Sequence, residues 1–209
     1  ALNGETIELL WNEGDNAIAM AAALNGKTIT VTGDANVDWS KGFLFVGRGD
    51  AQGNNADATL IFDNANLTSE PANNGIGLNV SGYEIDKEII NRTGKVIMNN
   101  SNIVVEYLLN AGNIELNNTT LKVNDGFRIS GRTAEETQDV IGTATIDLVN
   151  STVIVDNMNG MPIGYKGIGI MNIDENSTLQ CLRDYGVDPN GTMNIAGTVI
   201  IAEGKKLTN

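Results

Sequence analysis

Apolar residues recur at every second position in short runs, and the runs are joined by Asn corners. In five places an Asn is followed three residues later by a branched aliphatic: Asn64/Leu67, Asn100/Ile103, Asn118/Leu121, Asn150/Val153 and Asn176/Leu179. Four of these carry apolar residues four and two positions before the Asn, namely Leu60 and Phe62, Val96 and Met98, Ile114 and Leu116, and Ile146 and Leu148. The fifth slips by one, to Met171 and Ile173. An apolar residue returns two positions after the aliphatic at Val105, Val123, Val155 and Cys181, whereas the first copy has Ser69 there. Alternation of this kind puts one set of side chains on one side of a strand, so each copy predicts a strand, a tight corner and a second strand. Weaker copies from Ile29 to Val37 and from Met193 to Ile200 bring the number of repeats to about seven.

A strand pair this short cannot bury its own apolar side and must stack on a neighbour, which is the logic of a solenoid. The Asn corners lie 36, 18, 32 and 26 residues apart. Eighteen residues suffice for three short strands and three corners, close to the shortest closed turn of a parallel β-helix, and the longer spacings are the same coil with inserted loops. The fold class predicted is therefore all-β, a single-stranded right-handed parallel β-helix of about seven coils. Helical repeats do not fit, because the apolar spacing never reaches three to four. A sandwich or up-and-down barrel is the runner-up architecture.

The two ends differ. Asp15 or Asn16 can cap the free amides of a helix, Ala17 to Leu24 favours helix, and Asn25-Gly26 offers a left-handed stop, so a short capping helix is predicted near residues 16–24. Residues 1–26 then form an N-terminal cap and 27–209 the coils of one domain. At the other end Gly204-Lys205-Lys206-Leu207-Thr208 resembles Gly26-Lys27-Thr28-Ile29-Thr30, the opening of another coil. The expectation is a chain belonging to a longer protein, or an end that associates end to end with a partner.

Charge and composition narrow the functional classes. A net charge of −13 repels phosphate backbones and anionic membranes, which argues against nucleic acid as a partner, and no apolar run approaches the roughly 20 residues of a membrane span. The single cysteine, Cys181, excludes an intramolecular disulfide framework and lies on the apolar parity of its strand, as a small core residue would. There is no histidine, so Ser-His-Asp, Cys-His and His-based zinc sites are all excluded. Gly47-Arg48-Gly49 lacks the Lys and Ser/Thr of a phosphate loop.

The Ala-rich segment running into Asn25-Gly26-Lys27-Thr28-Ile29-Thr30-Val31, followed by Asn-cornered coils, resembles the right-handed parallel β-helix proteins of the pectin-lyase-like superfamily. Within that group it looks most like bacterial adhesin-type and cell-surface β-solenoids. The resemblance implies an extracellular or surface-anchored protein whose solenoid is a stalk or a carbohydrate-facing surface, and it implies no particular chemistry. The Gly-His-Gly motif and tandem Asp pair of polygalacturonase-like enzymes are missing.

Five Asn residues, Asn64, Asn100, Asn118, Asn150 and Asn176, are expected to stack as a structural ladder at one buried corner, bonding to one another and to neighbouring backbone. Asn118-Thr119-Thr120, Asn150-Ser151-Thr152 and Asn176-Ser177-Thr178 also spell glycosylation sequons, read here as corner grammar because a buried Asn cannot carry a glycan. Catalytic candidates are few. Glu115 and Asp147 occupy outward positions of equivalent strands, so successive coils bring the two carboxylates together, as glycoside hydrolysis or a bound Ca²⁺ would require. Asp125, Arg128 and Arg132 form a mixed cluster of the kind a lyase uses, with Phe127 and Ile129 inward and Arg128 outward. Beyond a possible Ca²⁺, no metal or cofactor is indicated.

Three long insertions, about 47–58, 81–93 and 131–142, each follow a third strand: Phe43 to Val46, Ile76 to Val80 and Phe127 to Ile129. If those strands stack, the loops emerge side by side and present Arg48, Asp50, Tyr83, Glu84, Asp86, Arg132 and Glu135 as a binding surface. The function expected is thus a non-enzymatic surface or secreted solenoid that serves as a scaffold or binds a polysaccharide or host-surface glycan. The alternative is a polysaccharide lyase or glycoside hydrolase that works without histidine.

Overall fold

The computed structural model describes residues 8–11, 20–24, 28–36, 42–46, 58–68, 76–80, 94–131, 142–156 and 162–209. Among them there is no helix. The chain is wound as a right-handed parallel β-helix with three faces to the coil. The first face stacks the leading halves of Thr28–Asn36 and Ala58–Thr68 with Gly94–Asn99, Asn113–Asn117, Thr143–Val149, Ile168–Ile173 and Gly191–Ile195, seven rungs among the described residues. The second stacks the trailing halves of the same two strands with the leading halves of Asn102–Asn110 and Thr120–Ile129, then Thr152–Val155, Thr178–Cys181 and Thr198–Ile201. The third stacks Met20–Leu24, Gly42–Val46, Ile76–Val80 and the trailing halves of Asn102–Asn110 and Thr120–Ile129, and continues through single bridges at Ile163 and Val187.

Period two explains the core. Leu60, Val96, Ile114, Ile146 and Met171 pair in register along the first face, and Leu67, Ile103, Leu121, Val153 and Leu179 along the second; all ten are buried. Leu78, Leu108 and Phe127 line the third face from within, and Tyr185 stacks on Phe127 with ring centroids 5.7 Å apart. Cys181 belongs to this interior, where burial pushes its thiol up to about 11 and removes thiolate reactivity at neutral pH.

The coil between Asn100 and Asn118 shows why eighteen residues are enough, because its three corners are all tight. Glu106 turns the chain from the second face to the third, and Ala111-Gly112 turns it back to the first. That last corner is closed by Asn110, which is buried: its Oδ1 accepts Gly112 N–H at 2.9 Å, and its Nδ2 donates to Thr145 O at 2.7 Å. In later coils the same edge is packed backbone on backbone. A Cβ on Gly169 would stand 2.1 Å from Ile129 O, so only glycine fits there.

The N-terminal helix does not form where the chain is described. Met20–Leu24 is a strand, antiparallel to Glu8–Trp11 on one side and parallel to Gly42–Val46 on the other; residues 12–19 lie outside the described residues. A nine-residue helix is marginal alone. Two sheet neighbours that satisfy both edges of the backbone outweigh the helix preference of an Ala run.

Candidate functional site

The corner between the first and second faces is the most regular part of the molecule. Asn64, Asn100, Asn118 and Asn150 sit at φ 50, 48, 52 and 47, the left-handed conformation that Asn tolerates better than other residues with a Cβ. Asn118 Nδ2 donates to Asn100 Oδ1 at 2.8 Å and Asn150 Nδ2 donates to Asn118 Oδ1 at 2.9 Å. Two expectations are corrected here. The ladder side chains are exposed, so burial does not bar a glycan from them, and Asn176 is not a rung. The one-residue slip places Asp174 at that corner instead, where its carboxylate accepts N–H bonds from Asn150 and Asn176 and the Ser177 hydroxyl. These contacts, the Ser177 hydroxyl foremost, hold the Asp174 carboxyl below the usual carboxylate range.

The buried element of the corner is the residue after each Asn. Ser101, Thr119, Ser151 and Ser177 are all buried. Ser101 Oγ accepts Ala65 N–H, Thr119 Oγ1 accepts Ser101 N–H, Ser151 Oγ accepts Thr119 N–H and Ser177 Oγ accepts Ser151 N–H, at 2.9–3.2 Å. A second, inner ladder of hydroxyls thus satisfies amides that a tight turn would otherwise strand. Its signal was present in the Ser or Thr that follows four of the five Asn residues.

Glu115 and Asp147 are register neighbours on the outer side of the first face. Each is engaged on its own. Lys95 Nζ lies 2.8 Å from Glu115 Oε1, and Asn172 Nδ2 donates to Asp147 Oδ1 at 2.5 Å, with Asn194 Nδ2 donating in turn to Asn172 Oδ1 at 2.7 Å. The pair is therefore part of a line of bonded polar side chains running along the face. No group of three or more acidic or thiol side chains converges on a metal site among the described residues.

The mixed cluster is different from a solvated surface group. Arg128 has outward parity yet is only 7% exposed, because the turn at 162–167 lies over it. Its Nη2 donates to Tyr165 O at 3.3 Å and its guanidinium carbon stands 4.7 Å from the centre of the Tyr165 ring. Ser130 Oγ donates to the same Tyr165 O, and Lys166, at φ 54, brings its Nζ to 5.4 Å from the ring. Tyr165, 38% exposed, thus has two cations within 6 Å of its ring centre. Asp125 lies at the register shift between Val123 and Gly126, with Oδ1 buried and unpartnered. Arg132 lies outside the described residues, as do Arg48, Asp50, Tyr83, Glu84, Asp86 and Glu135.

The anchors of those loops are nevertheless placed. Val46 pairs with Val80, Val80 with Asn110 and Asn110 with Ile129, so the excursions beginning at 47, 81 and 130 leave from one edge of the third face. At the opposite edge the third face begins at Gly42, Ile76 and Ile163, each following a strand of the second face that ends at Asn36, Thr68 or Val155. The first and second faces are joined only by tight corners. Tyr107 and Leu109, both half-buried, share the outward parity of Arg128 on the third face, with Tyr107 in register between Gly77 and Gly126. Tyr107 and Tyr165 are the aromatic residues that sequence reasoning missed.

No family model matches the chain, and no curated protein and no solved structure matches it.

Proposed function

We propose that this is a non-enzymatic, glycan-binding β-solenoid of the extracellular or cell-surface kind, akin to the adhesin-type members of the pectin-lyase-like superfamily, and that it binds through its third face. The observation that carries this reading is the third face itself, whose outer side holds Tyr107, Arg128, Tyr165 and Lys166 and from one edge of which the chain departs after Val46, Val80 and Ile129. An exposed ring beside a fixed cation suits a sugar: the ring stacks on its C–H face while the exposed Lys166 ammonium meets carboxylate or sulfate groups, with Arg128 holding the Tyr165 turn from beneath. A glycan array with the full chain tests this. Binding to a defined set of glycans that Tyr165→Ala abolishes, with the circular dichroism spectrum unchanged, supports the reading; equal binding by both proteins removes it. The enzymatic alternative rests on the adjacency of Glu115 and Asp147 alone. Release of oligosaccharides from anionic polysaccharides, lost in Glu115→Gln, would favour it instead.

A further inference from the structure

We propose that Asn176 and Asn190 are acceptor sites for an N-linked glycan, selected by the fold from among the sequons that the chain carries. The proposal rests on the extracellular part of the reading above and not on its binding face. Within the described residues Asn-x-Ser/Thr occurs at 66–68, 99–101, 117–119, 118–120, 150–152, 176–178 and 190–192. An acceptor Asn must bring a free side-chain amide to the surface, with the hydroxyl two residues on free beside it, because its Nδ2 has to enter a transferase as the nucleophile. The stacked corners deny this to most of them. Asn118 bonds to both Asn100 and Asn150, Asn150 Nδ2 donates to Asn118 Oδ1, Asn117 Nδ2 donates to Asn99 Oδ1 at 3.0 Å, and Asn66 Oδ1 accepts from Asn102 Nδ2 at 3.0 Å. Ser101 and Thr119, whose hydroxyls complete the motifs at Asn99 and Asn117, are buried and bonded in the inner ladder.

Asn176 and Asn190 escape for different reasons. The one-residue slip gives the corner to Asp174 and leaves Asn176 outside the ladder, while Asn190 lies where the third face returns to the first. Each is exposed and is the third residue of a four-residue turn, closed by Ser177 N–H to Asp174 O at 3.1 Å and by Gly191 N–H to Asp188 O at 2.7 Å. Among the described residues neither side chain makes a hydrogen bond, and the Thr178 and Thr192 hydroxyls, on the outer side of their strands, are likewise unbonded. In the transfer, Nδ2 attacks the anomeric carbon of a lipid-pyrophosphate-linked oligosaccharide. The new C–N bond forms as the C–O bond to pyrophosphate breaks, the lipid pyrophosphate leaves, and one Nδ2 proton passes to a base on the transferase. Both turns present the nucleophile with the ladder intact, whereas Asn118 or Asn150 must first give up its ladder bonds.

The folded 209-residue chain, incubated with a single-subunit oligosaccharyltransferase and its lipid-linked donor and read by peptide mass spectrometry, should acquire a glycan at Asn176 and at Asn190. Asn118 and Asn150 should be modified more slowly by roughly tenfold or more. Synthetic peptides spanning the same four sequons should all be modified, so that the choice is made by the fold. Asn176→Gln should lose that glycan alone. Thr178→Val, which keeps the acceptor Asn and removes the hydroxyl two residues on, should lose it as well. Both variants should keep the parent's melting temperature, because Asn176 is exposed and Thr178 lies on the outer side of its strand. A folded chain left bare at Asn176 and Asn190 while the peptides are modified, equal modification of Asn118 in the folded chain, or undiminished modification of Asn176 in Thr178→Val would each overturn the proposal. Glycan-array binding is measured on the unmodified chain, so failure of either result leaves the other standing.

Discussion

Replacing Ser151 by Ala should cost more stability than replacing the ladder residue Asn118 by Gly. Ser151 is buried, its Oγ accepts Thr119 N–H at 3.0 Å, and it donates to Val149 O at 2.8 Å. Alanine leaves the Thr119 amide facing a methyl group, whereas Val149 O keeps the Asn118 N–H at 3.0 Å. The loss is therefore one stranded buried donor, about 1–3 kcal/mol. In a chain of this length each kcal/mol lowers the melting temperature by about 2–4 °C. Asn118 is exposed and its amide bonds compete with water, so Asn118→Gly, which keeps the left-handed corner at φ 52, should cost under about 1 kcal/mol. Asn118→Ala adds the left-handed penalty of about 1–2 kcal/mol. Thermal unfolding ranks the three variants, and hydrogen exchange at the Thr119 amide localises the effect. Unchanged exchange of that amide in Ser151→Ala, or a greater loss from Asn118→Gly, would refute the assignment of the corner's stability to the hydroxyl ladder.

Two carboxyls should give opposite pH dependences. Burial is the main cause that raises the Glu106 carboxyl, opposed by the Asn124 amide and reinforced by Asp125. The folded state then binds more protons than the unfolded one above the unfolded value of about 4.3, and stability falls as pH rises through that window. Glu106→Gln should melt at or above the parent at neutral pH, the gain vanishing in acid; a variant less stable at neutral pH argues that the carboxylate is needed. Asp174 is lowered, first by the Ser177 hydroxyl. Its contribution is complete above the unfolded value of about 3.9 and is lost as pH falls through the folded value. Asp174→Asn should therefore be less stable than the parent at neutral pH and converge with it in acid, as melting across an acid series would show; a gap that persists unchanged in acid refutes the carboxylate's role.

Legibility in the sequence followed the repeat. Period-two alternation around Asn64, Asn100, Asn118 and Asn150 was enough to place strands, corners and register on the first two faces, because burial on one side of a strand forbids a one-residue slip. Met20–Leu24 failed for the complementary reason. An Ala-rich run has no period to read, so local preference was the only signal, and sheet pairing overrode it. The hydroxyl ladder was visible as Ser101, Thr119, Ser151 and Ser177 but was hidden behind the glycosylation sequon, whose spacing puts the hydroxyl one residue further on. Arg128 was assigned correct parity and wrong exposure, since nothing in the strand pattern announces that residues 162–167 fold back across it.

That failure locates the surface on which the proposed function depends. A solenoid coil is repetitive where each rung has only to match its neighbours, and there the sequence is constrained by stacking alone. The third face departs from the repeat: strands shrink to the single bridges at Ile163 and Val187, glycines admit backbone against backbone, and a turn with Gly164 and Lys166 in left-handed conformation lifts Tyr165 beside a covered arginine. Stacking does not require a left-handed lysine or a buried guanidinium, and both carry an energetic cost. Under the proposed function a ligand accounts for residues kept at such a cost on the third face, since the first two faces maintain the stacking without them.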